Sequence, residues 1–198
     1  MRFMTRHSFL SLLTVFALVA CSLEKPKFNG IDITGADYAQ GINLTDHNGQ
    51  IRSLNDFKGK VVVVFFGYTQ CPDVCPTTMT ELVEVKRLLG ADGDKLQVVF
   101  VTVDPDRDTP ELLKAYMTNF DPTFVAFIPN AEQLAFVAKD FKIYYKKQEG
   151  KTPTSYTMDH SAGSYVFDTQ GNVRLYSRYG SSAQVLAQDI QTLLKTTP

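Results

Sequence analysis

Residues 61–79 read VVVVFFGYTQCPDVCPTTM. The opening VVVVFFGY is an apolar run of strand length without alternation, the pattern of a strand buried on both faces at the centre of an α/β sheet. From Pro76 the period changes. Met79, Leu82, Val85 and Leu89 recur at near-helical spacing, and Gly90 stops the run. Strand, loop and helix thus follow one another directly, and the loop holds Cys71 and Cys75, each followed by a proline.

Outward from this unit the chain alternates. LQVVFVTVD (96–104) is a second apolar strand, and RDTPELLKAYMTNF (107–120) is a helix with Thr109 as N-cap and Pro110 at its first position. FVAFI (124–128) is a third strand, NAEQLAFVAKDF (130–141) a helix, and KIYYKK (142–147) a short further strand. Upstream, INLTDHNGQIRSL (42–54) predicts two strands around an Asn48-Gly49 type I′ turn. Downstream, QEGKTPTSYTMDH (148–160) reads as an exposed loop. SAGSYVFD (161–168) and NVRLYSRYG (172–180) form a hairpin, and SAQVLAQDIQTLLK (182–195) is a closing amphipathic helix. The order predicts an α/β protein with a mixed sheet covered on both faces. It is that of a thioredoxin-like fold with an N-terminal β-hairpin and a loop inserted before the C-terminal hairpin and helix.

The N-terminus stands apart. Arg2 and Arg6 precede FLSLLTVFALVA (9–20), a run shorter than the roughly 20 apolar residues of a membrane span. With Cys21 it resembles a bacterial lipobox. The expected organisation is a lipoprotein signal peptide at 1–20, a lipidated tether at 21–40 and a folded domain at 41–198. The domain is then lipid-anchored to a membrane of the bacterial cell envelope, outside the cytoplasm. A net charge of −1 gives no footprint for a nucleic-acid partner.

With Cys21 set aside for lipid, Cys71 and Cys75 are the only other thiols. A disulfide closing so small a loop contributes little to stability, so a staple is a weak reading. Pro76 restrains Cys75 to an extended conformation at the start of the helix, where unpaired N–H groups favour a thiolate at Cys75. Such a pair exchanges electrons as dithiol and disulfide, or offers two soft ligands to a soft metal. Spacing alone leaves both open. Of the histidines, His7 lies in the leader and His47 reads as a solvated turn residue. His160 enters the SAGSYVFD strand where thioredoxin-like proteins carry a cis-proline beside the cysteine loop. Met158 shares the side of His160 if the segment is extended. Asp159 is placed to orient His160, and Asp104, at the carboxyl edge of the sheet, to support the site or to cap the Pro105 turn.

GYTQCPDVCPTTM (67–79), VTVDPDRDTP (101–110) and MDHSAGSYVFDTQG (158–171) together resemble the Sco (SenC) family of copper-binding, membrane-attached thioredoxin-fold proteins. The resemblance runs from about Gly41 to the last helix. It implies copper, as Cu(I) and Cu(II), held by Cys71, Cys75 and His160. It also implies assembly of the copper site in subunit II of cytochrome c oxidase or another copper oxidase, by metal delivery, thiol reduction or both. Other periplasmic copper chaperones or thiol reductants would be further partners. Two thiolates and an imidazole suit Cu(I) and can hold Cu(II) with an added oxygen, whereas structural zinc normally takes four protein ligands. The chain reads as a metallochaperone more than an enzyme. The alternatives are a thiol-disulfide oxidoreductase or peroxide-reducing enzyme of the same fold, and a copper or redox sensor. Gln70 departs from the family, many of whose members have a histidine there. The loop from Gln148 to Thr157 borders His160 and is a candidate docking or gating element.

Overall fold

The apolar run becomes the strand around which the rest is arranged. In this computed structural model, which describes residues 26–151 and 155–197, the strands are β1 (Ile31–Asp32), β2 (Asn43–Asp46), β3 (Ile51–Ser53), β4 (Val61–Gly67), β5 (Leu96–Thr102), β6 (Val125–Ile128), β7 (Tyr145–Gln148), β8 (Thr157–His160), β9 (Ser164–Phe167) and β10 (Val173–Ser177). The helices are α1 (Val74–Leu88), α2 (Pro110–Phe120), α3 (Ala131–Asp140) and α4 (Ala183–Thr196). The main sheet runs β1-β10-β9-β4-β5-β6-β2-β3, and β7-β8 form a separate pair. β4 is parallel to β5 and antiparallel to β9, and every residue of β4 and β5 is buried, so both faces of the sheet are covered. This is the expected thioredoxin-like arrangement, with the cysteine loop at the exit of the central strand.

Local chemistry sets the element ends. Thr109 Oγ1 accepts from the Leu112 N–H at 3.2 Å ahead of Pro110. Asn130 and Gln133 close a reciprocal capping box on α3. The first hairpin differs from a type I′ turn. Only Gly49 has positive φ, 79°, and the buried Asp46 carboxylate accepts from the amides of Asn48 and Gln50 and from Arg52. The side chain of Asp46 builds the turn, with Gly49 as its left-handed exit.

Three expectations change. The predicted tether of 21–40 is part of the fold from Phe28 onward. β1 pairs with β10, Ala39 is buried, and the buried carboxylate of Asp189 on α4 accepts from the amides of Asn29 and Gly30, both at 2.8 Å. The folded unit therefore starts ahead of Gly41. Residues 1–20 and Cys21 lie outside the described residues. The segment read as an exposed loop from Gln148 ends in a strand, β8, which lies antiparallel to β7 with His160 opposite Tyr145. Its polar residues face outward on alternate positions, which made the strand look like loop. His47 is not a solvated turn residue. It is half-buried, and its Nδ1 accepts from the Ala126 N–H at 3.0 Å, stitching the first hairpin to β6.

Candidate metal centre

α1 begins two residues earlier than Pro76 suggested, at Val74 with Asp73 as its cap. Pro76 fits there because the amides of a first helical turn have no intrahelical acceptor to lose. Cys75 is consequently inside the first turn and fully buried, while Cys71 is half-exposed in the loop before it, and both are free thiols. Gly67 makes room for this packing. A Cβ added there would meet Cys75 Sγ at 2.7 Å and ring carbons of Phe65 and Phe100 at 2.9 Å.

His160 completes the cluster from the other side. Its Nε2 lies 3.4 Å from Cys75 Sγ, and the donor atoms of Cys71, Cys75 and His160 all fall within 4.8 Å of one another. Nδ1 is 3.0 Å from the Ser161 carbonyl oxygen, to which it donates, and this turns the Nε2 edge of the ring toward the sulfurs. The imidazole is wedged edge-on against Phe65 and Tyr68. Cys71 and His160 border an open hollow of about 530 Å³ lined also by Tyr68, Tyr144 and Met158, with Cys75 buried behind them. A larger hollow, about 890 Å³ between the first hairpin and α3, touches none of the three donors.

The two thiols are electrostatically unlike. Cys71 is pulled down to about 3, chiefly by its hydrogen bond with the Cys75 side chain, with His160 and backbone amides adding to it against the effect of burial. The Cys75 N–H points at Cys71 Sγ at 3.4 Å. Cys75 is pushed far above the thiol range by giving its proton to that bond and by burial beside a negative neighbour. The expectation of a thiolate at Cys75 is therefore corrected. The helix amide serves Cys71, and Cys75 is the protonated partner held in apolar packing.

The other predicted residues separate. Met158 shares the inward face of β8 with His160 and packs on the core. Asp159 points to the opposite face, where its carboxylate accepts from Gln148 Nε2, so Ser161 and not Asp159 orients His160. Asp104 is buried and accepts from Arg107 Nε at 2.5 Å and from the Tyr156 hydroxyl at 2.7 Å, reaching the hairpin and not the sulfurs. Gln70 accepts from Arg107 Nη1 at 3.2 Å. Asp108 was missed. Its buried carboxylate accepts from Thr69 Oγ1 at 2.6 Å, from the Thr69 amide and from Thr102 Oγ1 at 2.5 Å, tying the cysteine loop to the end of β5. Burial raises its pKa. The only sequence signal for it was its place in VDPDRDTP beside Asp104.

A family model described as SCO1/SenC matches residues 32–195. An SCO2-like protein of Rickettsia felis is 34% identical over 151 residues, covering 75% of this chain and 74% of that protein. The mitochondrial SCO2 homolog of Bos taurus is 36% identical over 146 residues, covering 72% of this chain and 55% of that longer one. Among solved structures, ScoI of Bradyrhizobium japonicum with copper bound is 38% identical with a TM-score of 0.70, over 77% of this chain and 97% of that one.

Proposed function

Because the chain belongs to the SCO1/SenC family, we propose that it is a copper chaperone with a redox-active Cys71/Cys75 pair that assists assembly of the copper site of cytochrome c oxidase subunit II. The observation that carries this reading is the convergence of two sulfurs and one imidazole nitrogen, from distant parts of the chain, on one point bordering an open hollow. Two soft thiolates and an imidazole hold Cu(I) in a near-trigonal site, and the hollow gives Cu(II) room for an oxygen ligand. A cargo site needs such an open side for the metal to leave. Cys21, as a lipidated residue after a cleaved signal, would keep the domain at a membrane surface outside the cytoplasm, close to a membrane-bound oxidase.

The thiol asymmetry favours a second activity of the same pair. Cys71 thiolate attacks one sulfur of a target disulfide and displaces the other. Cys75 gives its proton to the displaced target sulfur and attacks Cys71 Sγ in the mixed disulfide. The target leaves with two electrons gained, as one thiol and one thiolate that takes its proton from water, and Cys71–Cys75 remains as a disulfide.

The test titrates Cu(I) and Cu(II) into the reduced full chain in detergent and into Cys71→Ala, Cys75→Ala and His160→Ala. One ion per chain and a strong thiolate-to-Cu(II) absorption are expected, with affinity lowered in each variant. A His160→Ala protein with wild-type affinity and spectrum sinks the three-ligand site. Rapid dithiol turnover without metal would instead identify an oxidoreductase.

A further inference from the structure

The two halves of the centre hang on different supports. Cys71 and Cys75 issue from the central strand and its helix, whereas His160 ends a two-stranded hairpin that pairs with no strand of the main sheet among the described residues. Backbone pairing with the main sheet resumes only past His160, at Ser164, and the Phe65 and Tyr68 rings flank the imidazole. On the Tyr156 side of β8 the connection is made by side chains, with one cation at its centre.

We infer that Arg107 is a positioning residue for the metal centre, clamping the hairpin that carries His160 to the loop that carries Cys71. This rests on the copper reading above. The guanidinium lies 3.5 Å over the ring of Tyr156, the residue directly before β8, and Nη1 donates to the Tyr156 carbonyl at 2.9 Å. The same Nη1 donates to Gln70, the neighbour of Cys71, and Nε donates to Asp104, which also accepts from the Tyr156 hydroxyl. Lys147 of β7 covers the Tyr156 ring at 4.1 Å, so the tyrosine is held by cations from the hairpin and from the main domain. Tyr156 is four residues from His160 along an extended strand, a short lever that passes any displacement of its anchored end to the imidazole.

The turn that bears Arg107 serves both sides. The next residue, Asp108, fixes the cysteine loop through Thr69, and the Arg107 amide donates to the Asp104 carbonyl at 3.1 Å. One short segment thereby holds both parts of the centre in register. The clamp needs arginine. A planar fork can stack on a ring and bond acceptors in its own plane at once, which an ammonium cannot.

The test uses the full chain in detergent with Arg107→Lys and Tyr156→Phe, each alone and combined with His160→Ala. In the metal-free protein, amide hydrogen exchange of β7 and β8 should quicken about tenfold in Arg107→Lys, with less change in Tyr156→Phe, while β4 and β5 stay protected. Competition against a Cu(I) chelator should show affinity weakened about tenfold by Arg107→Lys when His160 is present and less than twofold when it is already alanine. Unchanged hairpin exchange overturns the clamp. An equal loss of affinity in both backgrounds overturns the positioning role, since Arg107 would then act through the cysteine loop or the fold at large. If His160→Ala itself binds copper like wild type, the copper reading fails, and the exchange data still decide whether the clamp exists.

Discussion

The strand that presents the cysteines and the hairpin that presents His160 are built on opposite terms. β4 is apolar throughout, buried throughout, and hydrogen-bonded on both sides. β8 alternates exposed and half-buried residues and has one partner strand, itself half-exposed. The first is held by the whole core, and the second by a few polar side chains and the Phe65 and Tyr68 rings. A metal site assembled from one rigid and one lightly held half can keep its sulfurs in place while its nitrogen moves. Such an arrangement suits the proposed role, in which the site would both hold and release copper.

The comparison breaks most readily on the rigid side. Gly67→Ala puts a methyl group 2.7 Å from Cys75 Sγ, with aromatic carbons blocking the other directions. Overpacking of this kind costs about 3 kcal/mol, and we expect a lower melting temperature together with loss of the thiolate-to-Cu(II) band. A variant that melts and binds like wild type would show that the strand yields more easily than its burial implies. Asp108→Ala comes next. It strips the Thr69 and Thr102 hydroxyls of a buried acceptor, at about 2 kcal/mol, and should loosen the cysteine loop. Copper affinity measured beside urea unfolding distinguishes that loosening from general destabilisation.

How much of this was legible in the sequence follows the same division. The central strand, the presence of its helix, the capped start of α2 and the helix at α3 depend on local pattern and were read correctly, whereas α1 starts two residues ahead of Pro76. The cysteines and His160 were identified as a set through their motifs. What escaped depends on contacts between residues far apart in sequence. Asp189 recruits Asn29 and Gly30 from the other end of the chain, and the polar outward face of β8 disguised a strand. The reversal of the thiol roles came from where one amide points, a detail that spacing does not encode. Asp104 and Asp108 are equivalent in pattern, and only their partners show that one serves the hairpin and the other the cysteine loop.

The thiol pair offers a subtler probe of the rigid half. With Cys71 held near 3, it is a thiolate across the mildly acid range in which an ordinary thiol is protonated. Iodoacetamide at pH 5 should therefore modify Cys71 and leave the buried Cys75 intact, as peptide mapping would show. Cys75→Ala removes the largest cause of the depression. The labelling profile of Cys71 should then move up in pH toward the usual thiol range. A profile unmoved by that substitution would mean that the helix amide and His160, and not the neighbouring thiol, hold the negative charge.

The smallest expected effect compares two half-buried histidines with opposite proton positions. His160 Nδ1 donates to a carbonyl, freeing Nε2 for the sulfurs, whereas His47 Nδ1 accepts from the Ala126 amide and must carry its proton on Nε2. Burial lowers the His47 pKa below its ordinary 6.5. A base depressed in the fold contributes stability that is complete above 6.5 and is lost as pH falls through the folded value. Urea unfolding should accordingly show wild type losing more stability between pH 7 and pH 5 than His47→Gln, whose amide oxygen can still accept from Ala126. His47→Ala should cost about 1 kcal/mol at pH 7 for the unpaired amide. Neither substitution should change copper affinity, because His47 stitches the first hairpin to β6, away from the sulfurs. A change in affinity would mean that the far edge of the sheet is coupled to the centre, and that the rigid half is less independent than its packing indicates.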